Sequence, residues 1–280
     1  MNTTVVLGFN QKMEELAKIL IKSLLLFSKF DITVIGYNYK PDFNNNKIKV
    51  VELQNINEQH IAAIAKMNAC IASIEQTNYD NFIWIDTDAI VTKYIDNVEI
   101  YFNRILNYPL IGSHLHNYFL MTDQYHPNGV IPIQFLERFF KEKVKQHRPW
   151  LHACLFVFNK KCQWFFEENK KLFDILNNFN YSWINDELIF NYLMSRYNFL
   201  THMEVKILNV FNVNVFDEFL ETQNLTNELF QKSESVITGS LSLDSILPKN
   251  VEELFLFHGI RDANYSKNVL ERYIDNIAKF

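Results

Sequence analysis

The sequence predicts an α/β fold built on a mostly parallel central sheet flanked by helices. Three observations carry this: short apolar runs alternate with segments of helical period, turn residues separate them, and one apolar run stops abruptly at a pair of carboxylates. With 280 residues, 48% hydrophobic and 15% aromatic, the chain can bury an enzyme-sized core without disulfides.

Thr3 to Gly8 reads as a buried strand, and Met13, Leu16, Ala17, Leu20, Ile21, Leu24 and Leu25 then mark one helical face. Ile32 to Tyr37 gives a second strand, Pro41 to Asn46 a polar turn, and Ile48 to Leu53 a third strand. A helix follows from about Glu58 to Gln76, and then the continuous apolar run Phe82-Ile83-Trp84-Ile85 meets Asp86-Thr87-Asp88. Beyond it the pattern gives a strand over Pro109 to Ser113, a long loop from His114 to Pro132, a helix from about Ile133 and a strand over Ala153 to Phe158. Helices over Lys160 to Leu176 and Asp186 to Tyr197 come next, and a mixed stretch leads to Leu254-Phe255-Leu256-Phe257-His258-Gly259. With no repeat and no low-complexity linker, the expectation is one domain over 1–280 with a C-terminal elaboration. Loops as long as the one after His114 often serve binding, which makes Tyr118, Tyr125 and His126 acceptor-facing candidates.

Charge and cysteine content exclude several classes. The formal net charge of -5, with scattered lysines, lacks the basic footprint of a nucleic-acid binder. Cys70, Cys154 and Cys162 form no CxxC pair and no even set, so reduced thiols are expected. The first residues carry no basic region followed by an apolar core and cleavage site, and the apolar segment Leu16 to Phe27 is too short to span a bilayer and contains Lys18 and Lys22. No transmembrane segment and a cytoplasmic location are expected. Gly-rich phosphate loops, nucleophile elbows and HExxH are absent from the sequence.

Ligands of open parallel sheets bind beyond the carboxyl ends of the strands. Asp86 and Asp88 stand at such an end, where two carboxylates one residue apart can offer oxygens to a hard divalent cation that also meets phosphate. The competing account is an Asp-rich turn.

The segment FIWIDTDAIV resembles the strand and DxD motif of GT-A glycosyltransferases, and three further landmarks follow in the family's order. Trp150-Leu151-His152-Ala153-Cys154 is similar to the turn beneath the sugar site, although His152 and Cys154 replace the family's Asn and Gly. Asn185-Asp186-Glu187 is similar to the acidic pair that opens a helix near the sugar, where capping by Asn185 or Asp186 competes with catalysis. Phe257-His258-Gly259-Ile260-Arg261 resembles the late strand whose His completes the metal site.

The resemblance implies a GT-A, Rossmann-like fold with a nucleotide-binding half over 1–113 and an acceptor half over 114–280. It implies a glycosyltransferase using Mn²⁺ or Mg²⁺, a nucleotide-sugar donor with UDP as the default, and a glycan or other hydroxyl acceptor. Asp86, Asp88 and His258 would hold the metal. Gly8, Lys66, Asp86, Thr87, Gly259 and Arg261 would meet the donor, with a solvated helix Lys as the alternative for Lys66. Asp186 or Glu187 would act in catalysis, and Trp150, His152 and Trp183 would line the acceptor or sugar. For His152 a strand-edge hydrogen-bonding role competes. Two rival readings are a sugar nucleotidyltransferase, which would want the N-terminal basic Gly-rich loop that this sequence lacks, and an inactive glycan-binding homologue.

Overall fold

A computed structural model of the protein describes residues 2–56, 65–103, 111–115, 130–144, 151–178, 186–197, 201–203, 206–209, 254–258 and 262–277. The strands are β1 (Thr3–Phe9), β2 (Asp31–Tyr37), β3 (Ile48–Leu53), β4 (Asn81–Ile85), β5 (Ala89–Val91), β6 (Ile111–Leu115), β7 (Leu151–Asn159), β8 (Thr201–Met203), β9 (Lys206–Asn209) and β10 (Leu254–His258). The helices are α1 (Glu14–Phe27), α2 (Lys66–Gln76), α3 (Glu99–Asn103), α4 (Val130–Phe140), α5 (Gln163–Asn177), α6 (Asp186–Tyr197) and α7 (Ala263–Ile277). No helix among the described residues is long and apolar enough to cross a membrane.

The chain forms two compact units that alternate along the sequence. One comprises Met1–Gln11, Phe30–Ile85 and Glu99–Met203, and the other Lys12–Lys29, Asp86–Val98 and Glu204–Phe280.

The first unit holds a seven-stranded sheet in the order β3-β2-β1-β4-β7-β6-β8. β3, β2, β1 and β4 run parallel, β7 is antiparallel to both β4 and β6, and β6 and β8 are again parallel. The sheet is therefore mostly parallel, as the alternation of strands and helices predicts. Period two explains its core: Phe82 faces Phe158 across β4 and β7, and Trp84 faces Phe156, so all four rings share one face. Phe82 and Phe158 stack at 4.9 Å, Trp84 and Phe156 at 6.0 Å. Such pairs add about 0.5–1.5 kcal/mol each beyond the area they bury. Phe166 of α5 meets Phe158 edge-on at 4.8 Å, and Phe190 of α6 reaches Phe156 at 5.3 Å. Those two helices are thereby seated on β7.

Helix ends carry visible causes. α4 starts at Val130, earlier than the expected start near Ile133, because Pro132 falls in the first turn, where a missing N–H costs nothing. It ends with Lys141 at φ 56°, the Glu142 N–H closing back to the Glu137 carbonyl at 3.0 Å. Arg196 on α6 pairs with Glu142 and, at 2.8 Å, with Glu168 on α5, which also accepts from the Tyr197 hydroxyl. α5 begins after a tight turn over Lys160–Cys162, whose Asn159 side chain accepts the Lys161 N–H.

The second unit has a three-stranded sheet in the order β5-β10-β9. β10 is antiparallel to β5 and parallel to β9. α1 packs against β5, and α7 against α1 through Phe27 and Tyr273, whose rings meet edge-on at 5.5 Å.

Candidate metal and donor site

The two carboxylates follow β4 directly in the chain. Phe82, Ile83, Trp84 and Ile85 are all buried, so the strand is clamped along its length within the first unit. Asp86 comes next, Thr87 is buried in the turn, and β5 begins immediately after Asp88. The register of β5 with β10 sets His258 opposite Ala89. Residues far apart in sequence are thus brought to one place within the second unit.

His258 Nε2 lies 3.4 Å from Asp88 Oδ1 and 3.9 Å from Asp86 Oδ2. One ligating atom from each of the three residues lies within 4.8 Å of the others. The imidazole is 9% exposed, while the carboxylates keep 24% and 17%, so the cluster has a walled side and an accessible side. Two carboxylate oxygens and an imidazole nitrogen are a donor set that suits a hard or borderline divalent cation, and their spacing lets all three reach one ion.

The other expected donor-side residues that the structure describes lie in the first unit. Gly8 is near the carboxyl end of β1, and a Cβ there would lie 1.9 Å from the Tyr37 hydroxyl oxygen. Its missing side chain therefore makes room for Tyr37. Lys66 opens the described part of α2 and is only 9% exposed, so the solvated reading does not hold. Its ammonium donates to the Ala153 carbonyl at 3.0 Å and stands 5.8 Å from the centre of the Trp84 ring. Glu187 is half-buried in the first turn of α6, and its Oε1 accepts the Ala153 N–H at 2.9 Å.

Asp186 is the first residue of α6 and His152 pairs with His114 across β7 and β6, but both side chains lie outside the described residues. Trp150, Trp183, Asn185, Gly259 and Arg261, with Tyr118, Tyr125 and His126 of the long loop, lie outside them entirely. Sequence reasoning passed over Asn10. Its Oδ1, just past β1, is buried without a hydrogen-bond partner among the described residues, and the carboxyl end of a first parallel strand was the signal that could have found it.

The architecture is that of the GT-A glycosyltransferases. The galactosyltransferase LgtC, solved in complex with donor and acceptor sugar analogues, matches with a TM-score of 0.51 and 10% identity over 97% of this chain and 95% of its own. The glycosyltransferase GlyE from Streptococcus pneumoniae TIGR4 matches with a TM-score of 0.52 and 12% identity, over 100% of this chain and 64% of its own. The bifunctional glycosyltransferase WbbM matches at 0.54 and 15%, over 99% of this chain and 50% of its own. At these identities the likeness is one of fold. No protein-family model and no curated protein matches the sequence.

Proposed function

We propose that the protein is a metal-dependent glycosyltransferase that moves a sugar from a nucleotide-sugar donor, with UDP as the nucleotide, to a glycan or another hydroxyl acceptor. The observation that carries this reading is the meeting of Asp86, Asp88 and His258 on a GT-A fold. A turn made of aspartates for its own sake gives no reason for an imidazole from β10 to stand beside both carboxylates.

In this reading Asp86, Asp88 and His258 hold Mn²⁺ or Mg²⁺, with the accessible side of the carboxylates left for phosphate oxygens. The ion supplies charge neutralisation to a departing nucleoside diphosphate. Asn10 offers its unmatched oxygen to the donor, and Gly8, Lys66, Thr87, Gly259 and Arg261 complete the donor contacts. Glu187 and Asp186 are the carboxylates proposed for the reacting sugar, Glu187 as the one whose position is fixed by a strand backbone. Trp150, His152 and Trp183 are assigned to the sugar or acceptor. We read 1–280 as one catalytic domain acting in the cytoplasm.

The test is a panel of nucleotide sugars in a thermal-shift assay with and without Mn²⁺, followed by donor hydrolysis. A ligand that binds only the folded chain raises its apparent stability with the logarithm of saturation. Stabilisation by a UDP-sugar only when Mn²⁺ is present, with release of UDP, is the expected result. Binding without Mn²⁺, or formation of UTP and sugar 1-phosphate when pyrophosphate is added, overturns the reading.

A further inference from the structure

Among the described residues β5 is a three-residue edge strand, and its neighbour in the sheet is β10. A helix also holds it. The Val91 N–H donates to Ser23 Oγ of α1 at 3.2 Å, while that hydroxyl donates its own proton to the Leu20 carbonyl at 2.7 Å. Ser23 and Val91 are both fully buried, so no water replaces either bond. A serine hydroxyl has one proton and two lone pairs, and this arrangement uses the proton on the helix and a lone pair on the strand. The same stretch is tied to the end of α1 a second time, because Asp96 accepts from the Ser28 hydroxyl at 2.8 Å and from the Lys29 N–H at 3.0 Å.

Asp88 directly precedes β5, and His258 pairs with Ala89 inside it. Any slip of β5 changes the separation of the Asp88 carboxylate from the His258 imidazole. We propose that Ser23 is a positioning residue for the metal site: its hydroxyl seats β5 on α1 and thereby fixes the spacing of Asp88 and His258. The inference rests on the reading of Asp86, Asp88 and His258 as metal ligands. Partners hydrogen-bonded directly to metal ligands typically change metal affinity about 10–100-fold when removed, and Ser23, one bond further out, is expected at the low end of that range.

Ser73 supplies the control. It is equally buried and donates to the Cys70 carbonyl at 2.7 Å in the same back-bonded geometry, but it sits on α2, and among the described residues no strand N–H is bonded to it. Mn²⁺ binding is titrated by electron paramagnetic resonance on the wild type, Ser23→Ala and Ser73→Ala, with Tm measured for each. The expected result is affinity about tenfold weaker in Ser23→Ala and unchanged in Ser73→Ala. Equal affinities in all three, or equal losses in both variants, overturn the proposal. Should the wild type itself take up no Mn²⁺, the metal reading fails and this inference with it; wild-type binding that Ser23→Ala leaves intact defeats the inference alone. A second measurement needs no variant: Mn²⁺ should slow hydrogen exchange at the Val91 amide, and unaltered exchange at saturation also overturns it.

Discussion

Lys66 and Glu187 grip the two backbone groups of a single residue, the ammonium on the Ala153 carbonyl and the carboxylate on the Ala153 N–H. Opposite charges from α2 and α6 are thereby held at one point of β7. Glu187→Gln keeps an oxygen that can accept from Ala153 while removing the charge. Its Tm is therefore expected to stay close to wild type while kcat for sugar transfer falls at least tenfold. Glu187→Ala should lose kcat and also about 1–3 kcal/mol of stability, because the Ala153 N–H loses its acceptor. Parallel Tm and kcat measurements decide, and a Gln variant with full kcat removes Glu187 from catalysis.

Lys66→Met tests the other half of the grip. Methionine can follow the same apolar path past Trp84 but donates nothing to the Ala153 carbonyl, so a loss of about 1–3 kcal/mol is expected in urea unfolding. A variant as stable as the wild type would mean that burying the ammonium there costs as much as its hydrogen bond returns.

Asp88→Asn should leave Tm unchanged within about 1 °C and abolish Mn²⁺-dependent donor turnover. Asn keeps the shape and loses the charge that a divalent ion needs. Near-wild-type turnover across a Mn²⁺ titration would dismiss Asp88 as a ligand.

Gly8→Ala is expected to destabilise by about 1–3 kcal/mol, as overpacking does elsewhere. The added Cβ would lie 1.9 Å from the Tyr37 oxygen and 2.5 Å from its Cζ, so Tyr37→Phe should relieve the strain only in part. Thermal unfolding of the single and double variants measures both effects. Full recovery in the double variant would place the whole conflict at the hydroxyl.

Tyr79, Tyr192 and Tyr197 are each pushed up to about 12, chiefly by burial, with hydrogen bonds to Asp31 and Glu168 adding to it for Tyr79 and Tyr197. A raised folded-state value favours the protonated, folded chain. The associated stability is complete below pH 10, where the unfolded tyrosines are also neutral, and it is lost as pH climbs through about 12. Absorbance at 295 nm should show part of the 13 tyrosines resisting ionisation at pH 11 until the chain unfolds. Ionisation of all of them near pH 10 without unfolding would contradict this.

What the sequence could reveal followed the reach of each signal. β1, β2 and β4 were legible because a buried strand advertises itself in a run of apolar residues, and β3 because its apolar residues lie between turn signals; β4 and β10 were informative because each apolar run stops at a side chain able to bind a metal. β5 has three residues, too few for any period, and its pairing with β10 joins distant parts of the chain. The direction of β7 was hidden for a related reason: its residues read the same whether it runs with β4 or against it. Periodicity put Lys66 on a helix but left its surroundings open, since its partner is a carbonyl on β7. The apolar-face pattern likewise passed over Ser23, whose value lies in one backbone N–H of a remote strand.

The order in which a ribosome releases the three proposed ligands has a consequence for making the protein. Asp86 and Asp88 emerge well before His258, which meets them only once β10 has paired with β5. An incomplete translation product ending before β10 would carry two carboxylates and no imidazole. On the proposed reading, metal uptake would then distinguish finished molecules from fragments during purification, even where both remain in solution.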